Sequence, residues 1–449
     1  MRNMGAYTTL KRYCEEAFAE LRRGVQRPED VPKRWGYTVK VTEPGFTAAP
    51  TELEDWEGLI RDCGEVLKAM PSYLEAVRVI REEEPFASQL TLVASPERIL
   101  RELLARVLEE EASLQYRAAT LDPIYEAIED YFYRDTVECV YLAPLRRFRM
   151  EPTSIQLDPD LALIRIPDKV REGRWLRAMT GWVGADMDWA VAQAEYALQL
   201  RLELKKDLVS DPHVTPDGRP GVVIAREKFA DVCSALRVFK SGRLGYQYIT
   251  MEPASWTPSP GRAGWGPTAK PILGEPYELF EKETEAFRKW WRAFQSASAT
   301  KRKEMDVPLA RFNRGYIEGD ARERLVDHMI GFEALLLQSE GELSYRLALR
   351  GAAMLGKDAG QRQTIRDELK AAYNQRNSIV HGRRTEDPVP IGKKKKGEKR
   401  QTVPFAELVD AVESLLRCAI RECLEDRSKQ TRIQMLDELE QSIVRGLRN

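Results

Sequence analysis

Apolar side chains recur every third or fourth residue over residues 6–24 and again over 52–82, the period of a helix with one buried face. Ser95-Pro-Glu-Arg98 sets a hydroxyl N-cap before a first-turn proline, and residues 97–134 then predict two helices. The period changes to two where Tyr196, Leu198, Leu200, Leu202 and Leu204 alternate with mostly polar neighbours, the mark of a half-buried strand. Val137–Tyr141, Ile155–Ile166 and Leu244–Met251 read as further strands, and Ala225–Lys240 as a helix.

From Pro253 to Pro276 the pattern lapses. Pro258-Ser-Pro260-Gly-Arg-Ala-Gly264-Trp-Gly266-Pro267 holds too many ring-locked and unconstrained residues for helix or ladder, which predicts a linker or a long loop. Beyond it the helical period returns and stays. Glu275–Ser298 carries Tyr277, Phe280, Phe287, Trp290, Trp291 and Phe294, and Arg322–Gln338, Glu342–Leu355, Thr364–His381, Phe405–Glu425 and Arg432–Leu447 follow. Helices joined by short loops predict an up-and-down bundle. The expected architecture is multi-domain and mainly α. Residues 1–90 form an N-terminal helical segment, 91–252 an α+β region, 253–274 the linker and 275–449 an all-α bundle. No internal repeat is visible.

Composition narrows the chemistry. The chain of 449 residues suffices for two or three cores. Lys and Arg (70) nearly balance Asp and Glu (71), so no global field draws the molecule to nucleic acid, and RNA affinity must come from a local patch. Cys14, Cys63, Cys139, Cys233, Cys418 and Cys423 are scattered without a CxxC pair, which predicts neither a disulfide framework nor a zinc site. No apolar h-region follows Met1-Arg-Asn-Met-Gly-Ala-Tyr7, and no run approaches the roughly 18 apolar residues of a membrane span. A cytoplasmic protein without membrane contact is expected.

Of three histidines, one ends the segment Tyr373-Asn-Gln-Arg376-Asn377-Ser378-Ile379-Val380-His381-Gly382. Leu369, Ala372, Tyr373, Arg376, Ile379 and Val380 share one stripe by spacing, so Arg376 stands in an apolar face. A guanidinium there needs a partner, because an unpaired buried charge costs several kcal/mol. Glu333, set within Met329-Ile-Gly-Phe-Glu-Ala-Leu-Leu-Leu337, has the matching anomaly. The two are predicted to face each other, as a structural ion pair or as a device that aims Arg376 at a cleft. Asn377 and His381, four apart, project from one face. Gly382 suits a left-handed position that ends the helix. The helix dipole favours a protonated imidazole at His381 while Arg383 and Arg384 oppose it. A guanidinium and an imidazole suit RNA transesterification, in which the 2′-OH supplies the nucleophile. His381 would move protons, Arg376 would stabilise phosphorane charge, and Asn377 would orient a phosphate or the imidazole. Arg383-Arg384 and Lys393-Lys394-Lys395-Lys396 lie in a basic loop whose prolines and glycines predict no regular structure. Such a run is as well read as a solvated face as a phosphate contact.

This decapeptide resembles the active-site motif of HEPN domains, R-[polar]-x3-H. Arg311-Phe-Asn-Arg-Gly-Tyr316, Glu333-Ala-Leu-Leu-Leu337 and Glu340-Gly-Glu-Leu-Ser-Tyr-Arg346-Leu-Ala-Leu-Arg350 precede it in order, and together they are similar to the Apea-like branch over roughly residues 305–425. Ala143-Pro-Leu-Arg-Arg-Phe148 and Leu161-Ala-Leu-Ile-Arg-Ile-Pro167 are more loosely similar to the regions that accompany such domains. The resemblance implies a metal-independent endoribonuclease without cofactor, dimeric through its bundle so that two motifs share a cleft. It also implies a role in abortive phage infection or as a toxin, held in check by a trigger or regulatory protein. The substrate would be RNA, and tRNA anticodon loops meet the need for an exposed single strand although no residue selects them. The alternative is an inert RNA-binding or scaffold module of the same fold.

Other motifs carry less. Gly392–Arg400 has the outline of a P-loop, but Glu398 replaces its lysine and no strand precedes it. His213 sits in a turn-rich loop, and His328 beside Asp327 reads as structural with a supporting role second. Trp256 and Trp265 read as plugs before base-stacking platforms. Asp186 and Asp188 lack companions for a metal.

Overall fold

A computed structural model describes residues 1–25, 30–42, 45–90, 95–179, 185–206, 219–257, 274–297, 299–337, 342–392, 401–425, 427–428 and 430–446. The described chain is mainly α, with sixteen α-helices and a few small sheets. It divides into two compact units. The first takes Met1–Pro144, Asp158–Glu227 and Tyr248–Pro267, and the second takes Leu145–Leu157, Lys228–Gln247 and Thr268–Asn449. None of its helices is long and apolar enough to cross a membrane, among the described residues.

In the first unit, helix Met4–Gly24 buries Ala6, Tyr7, Leu10, Tyr13, Cys14, Ala17, Phe18 and Leu21, a stripe at the helical period. Asn3 caps it, its Oδ1 accepting from Ala6 N at 2.9 Å. Helices Pro71–Glu82, Pro96–Glu111 and Ala118–Tyr133 close the same core. Leu161–Arg165, Tyr196–Lys205, the start of Thr136–Arg146, and Thr250–Pro253 form an antiparallel sheet, with Leu161 and Tyr141 both opposite Leu200. Helices Asp168–Met179 and Ala185–Gln193 are joined by a buried pair, Arg174 Nη1 to Asp188 Oδ1 at 2.7 Å. That contact accounts for one of the two aspartates singled out above.

Several expectations need correction. Residues 52–82 are not one helical stretch. A hairpin of Lys33–Thr42 and Gly45–Glu54 runs into it, and helices Trp56–Asp62, Gly64–Ala69 and Pro71–Glu82 follow. The breaks fall at Gly64 and Pro71, which favour helix ends over interiors. Ile155–Ile166 is two strands, Ser154–Asp158 and Leu161–Arg165, separated at Pro159-Asp160. Leu244–Met251 is likewise two pieces, Gly245–Tyr246 and Thr250–Pro253. The three-part domain reading gives way to two units, because Leu145–Leu157 and Lys228–Gln247 pack with the C-terminal helices. Trp290 Nε1 donates to Ala235 O at 2.8 Å, and Tyr277–Leu279 pairs in parallel with Phe148–Met150. Most of the predicted linker, residues 258–273, lies outside the described residues, as do Trp265 and His213. Trp256 is buried against Tyr131 and Phe132, as a plug would be.

The second unit carries helices Thr284–Ser296, Ala299–Ile317, Ala321–Leu336, Leu343–Leu355, Ala359–Val380, Phe405–Leu424 and Arg432–Gly446. Their core includes Trp290, Trp291, Phe312, Met329, Phe332, Leu369, Leu416 and Ile420. The all-α expectation is close but incomplete. Tyr277–Leu279 is a strand, so the aromatic helix starts only at Thr284, and Val389–Pro390 pairs with Thr402–Val403. That last ladder also corrects the expectation of a basic loop without regular structure at its described ends. Ala299–Ile317 went unpredicted because Pro308 sits inside it, although a proline costs a helix only locally when packing supplies the rest.

Candidate active site

Helix Ala359–Val380 packs against Ala321–Leu336, Leu343–Leu355 and Phe405–Leu424 through Leu369, Ala372 and Tyr373. The stripe then turns outward. Arg376 is half-buried and Val380 is 54% exposed. The end of the helix is set by Gly382, whose φ of +67° is left-handed. Gly382 N donates to Ile379 O at 3.0 Å and Arg383 N to Ser378 O at 2.7 Å, the paired bonds of a Schellman ending. Gly382 thus stands where its spacing predicts, and His381 is the capping residue immediately before it.

The predicted facing pair is present. Arg376 Nη2 donates to Glu333 Oε2 at 3.2 Å, with both side chains about one-fifth exposed (21% each). Nη1 of the same guanidinium donates to Asn377 Oδ1 at 3.1 Å. These contacts occupy the carbonyl of the Asn377 amide, so its NH2 group remains available as a donor. Nε of Arg376 is buried and, among the described residues, has no hydrogen-bond partner. Burial pushes the Glu333 carboxyl above its usual range, and the Arg376 charge pulls against that. The ion pair is therefore only partly compensated, which favours a positioning contact over a stabilising one.

Glu333, Arg376 and Asn377 are brought together. His381 stands apart from them: its side chain is exposed, and among the described residues no group hydrogen-bonds the imidazole. Arg383 and Arg384 are exposed beside it. Lys393, Lys394, Lys395 and Lys396 lie outside the described residues.

An open cleft of about 710 Å³ lies alongside, lined by Leu343, Ser344, Tyr345, Lys370 and Tyr373 with Glu342 at its edge. Tyr373 belongs to both features, its ring centre 6.0 Å from the Arg376 guanidinium carbon. Tyr345 is 54% exposed, and Ser344 Oγ is buried without a partner. The sequence signal for Tyr373 was its place one turn before Arg376. Ser344 and Tyr345 gave none, since only the packing of two helices brings them to the cleft.

The segment Arg311–Tyr316 serves a second cluster, around the buried Asp327 and His328. Arg311 Nη1 and Arg314 Nε reach Asp327 at 2.9 and 3.2 Å. Glu413 meets Arg243, Arg324 and Arg417, each at 2.8 Å, and its Oε2 lies 3.5 Å from His328 Nε2. Burial pushes the Glu413 carboxyl up, but His328, Arg243 and Arg417 outweigh it and hold the group far below the carboxylate range. His328 is fully buried, and a Cβ on Gly315 would come within 2.6 Å of its Cε1, so the glycine in Arg311–Tyr316 is a close-approach position. Arg350 Nη1 closes Leu336 O at 2.5 Å and also pairs with Glu440.

Compared with protein-family models, with curated proteins and with solved structures, the chain matches none.

Proposed function

We propose that the second unit is a metal-independent endoribonuclease of the HEPN kind, with Arg376 and His381 at its centre. What supports this reading is the Glu333–Arg376–Asn377 chain of contacts, which holds a partly buried guanidinium in the last turns of the helix that His381 caps. In the reaction, the ribose 2′-OH attacks the adjacent phosphorus as the P–O5′ bond breaks. His381 takes the 2′-hydroxyl proton, and the leaving 5′-oxygen gains one from a second acid. Arg376 donates to the non-bridging oxygens as charge accumulates, and Asn377 adds its NH2. The products are a 2′,3′-cyclic phosphate and a 5′-OH, and DNA is refused for want of the 2′-OH.

One chain offers one imidazole to this site, so we assign the second acid to another copy in a homodimer that joins two motifs in one cleft. The exposed Val380 next to His381 supports contact there. Tyr345 and Tyr373 would stack a flanking base, and Arg383 and Arg384 with the following lysines would hold phosphates. Such an enzyme would serve as a phage-defence or toxin effector acting on cytoplasmic RNA, tRNA among the candidates, under the control of a trigger or regulatory protein. One observation favours the second reading, an inert RNA-binding or scaffold module: among the described residues, nothing hydrogen-bonds the His381 imidazole.

The test is incubation of purified protein with total RNA in EDTA, wild type beside His381→Ala and Arg376→Ala. Cleavage in chelator that both substitutions abolish supports the enzyme. Cleavage that needs magnesium, or survives both, removes it. RNA binding without cleavage by wild type selects the inert module. A strictly monomeric protein that still cuts removes the shared cleft.

A further inference from the structure

The first unit holds a cavity of about 480 Å³ that the nuclease reading does not use. Its floor is aromatic. Tyr13 is 2% exposed and packs edge-on against Tyr73 at 5.7 Å between ring centres. Tyr13 lines the cavity, and its hydroxyl is the single polar atom the side chain can present there. The ring is buried, and since that hydroxyl makes no hydrogen bond among the described residues, the cavity is where it can find a partner. Ile60 and Leu67 complete the apolar part.

The rim is cationic. Arg61, Lys68, Arg98 and Arg101 line it, against the carboxylates Glu57 and Glu97. Lys68 and Arg98 are held by Glu65 and Glu102, each at 2.9 Å, whereas Arg61 has only Asp62 at 3.8 Å. Arg101 is exposed and, among the described residues, makes no ion pair. Ser95 Oγ accepts from Arg98 N at 3.3 Å and opens the sixteen-residue helix Pro96–Glu111 into this wall, where the positive dipole end favours an anion. Ligand pockets run from roughly 300 to 1,000 Å³ with an apolar floor and a few convergent polar groups. This cavity has that size and that division of labour.

We propose that it binds a nucleoside 5′-monophosphate. The base lies against Tyr13 and Tyr73 with a ring acceptor taking the Tyr13 hydroxyl proton. Arg101 and Arg61 hold the phosphate at the start of Pro96–Glu111, and the ribose hydroxyls donate to Glu57. An anion alone would leave the aromatic floor and the phenol unused, and a neutral ring would leave the arginines unused.

Calorimetric titration of the full chain with AMP, GMP, CMP and UMP, and separately with adenosine and inorganic phosphate, tests this. At least one monophosphate should bind, with adenosine and phosphate each weaker by tenfold or more. Arg101→Gln should weaken the monophosphate about tenfold and leave adenosine unchanged, which separates this cavity from the Arg376 cleft. Tyr13→Phe should weaken binding severalfold while the unfolding midpoint holds or rises, because a merely structural tyrosine here loses only an unbonded hydroxyl. The proposal fails if no monophosphate binds at millimolar concentration. It fails too if phosphate matches the nucleotide, or if neither substitution changes the affinity.

Discussion

Two polar clusters in the same helical unit face opposite fates. Around Glu413, three guanidinia converge on one carboxylate, all buried or nearly so, with His328 closing the fourth side. Around Arg376, one guanidinium meets one carboxylate and one amide, the charged pair about one-fifth exposed (21% each), and the buried Nε has no hydrogen-bond partner among the described residues. Both break the rule that charges stay outside. The first answers the cost of burial by setting three guanidinia on one carboxylate, although Arg324 Nε and both ring nitrogens of His328 are buried without a hydrogen-bond partner among the described residues. The second is a single ion pair, about one-fifth exposed and beside an open cleft, and on the nuclease reading this is where a phosphate would be met. A cluster enclosed on every side builds; one that reaches the surface beside a cleft can act.

The widest separation between the two clusters should come from Arg376→Ala and His381→Ala. Each is expected to lower RNA cleavage by about 10²–10⁴-fold, the range for a lost proton-transfer group or charge-stabilising donor. The exposed His381 should change stability by no more than about 0.5 kcal/mol, as surface positions do. Denaturant midpoints measured beside cleavage rates decide it. If either variant unfolds the unit while activity per folded molecule stays constant, the contrast between the clusters is lost.

Glu413→Ala should do the reverse. It strands three guanidinia, and breaking a buried pair costs about 3–5 kcal/mol. Cleavage per folded molecule should hold. A midpoint within about 1 kcal/mol of wild type would mean that the cluster is not a structural device.

Glu333→Gln probes the hinge between the two kinds of cluster. Since burial already holds this carboxyl above its usual range, ionising it on folding costs free energy that Arg376 only partly returns. Stability is thus greatest below the ordinary carboxylate pKa and falls as pH rises through the raised value. A neutral amide at pH 7 should leave the midpoint within about 1 kcal/mol while cleavage drops roughly tenfold, because Arg376 loses its aim. Equal losses in both would turn Glu333–Arg376 into an ordinary structural pair.

How far the sequence carried this depends on which physics each residue obeys. Gly382, the Arg376 stripe and the Glu333 partner were legible because helical period and the cost of unpaired charge are local or pairwise rules. The Glu413 cluster was not. Arg243, Arg324, Glu413 and Arg417 lie far apart in the chain, and Arg243 came from the region read as a separate domain. Likewise Leu145–Leu157 and Lys228–Gln247 join the helical unit through side-chain fit that composition does not record. Tyr345 and Ser344 reach the cleft only through the packing of one helix pair. The rule that fails is contiguity, since a polar residue's partner need not be near it in sequence.

The smallest effect concerns acid. His328 is held below its ordinary value near 6.5, first by burial and secondarily by Arg324 and Arg243, with Glu413 pulling the other way. As pH falls below 6.5, the unfolded chain takes up a proton on this imidazole that the folded chain resists. Stability from His328 is therefore complete above that pH and declines beneath it, by at most about 1.4 kcal/mol per pH unit for one proton. Glu413, whose folded carboxyl is depressed, adds a further loss only below the carboxylate range. Urea midpoints at pH 7.5 and 5.5 should thus differ in wild type, and His328→Gln should flatten that difference whatever it does to the absolute value. If His328→Gln left the difference between the two midpoints unchanged, the buried imidazole would not be a folding group, and the assignment of building to its cluster would fail.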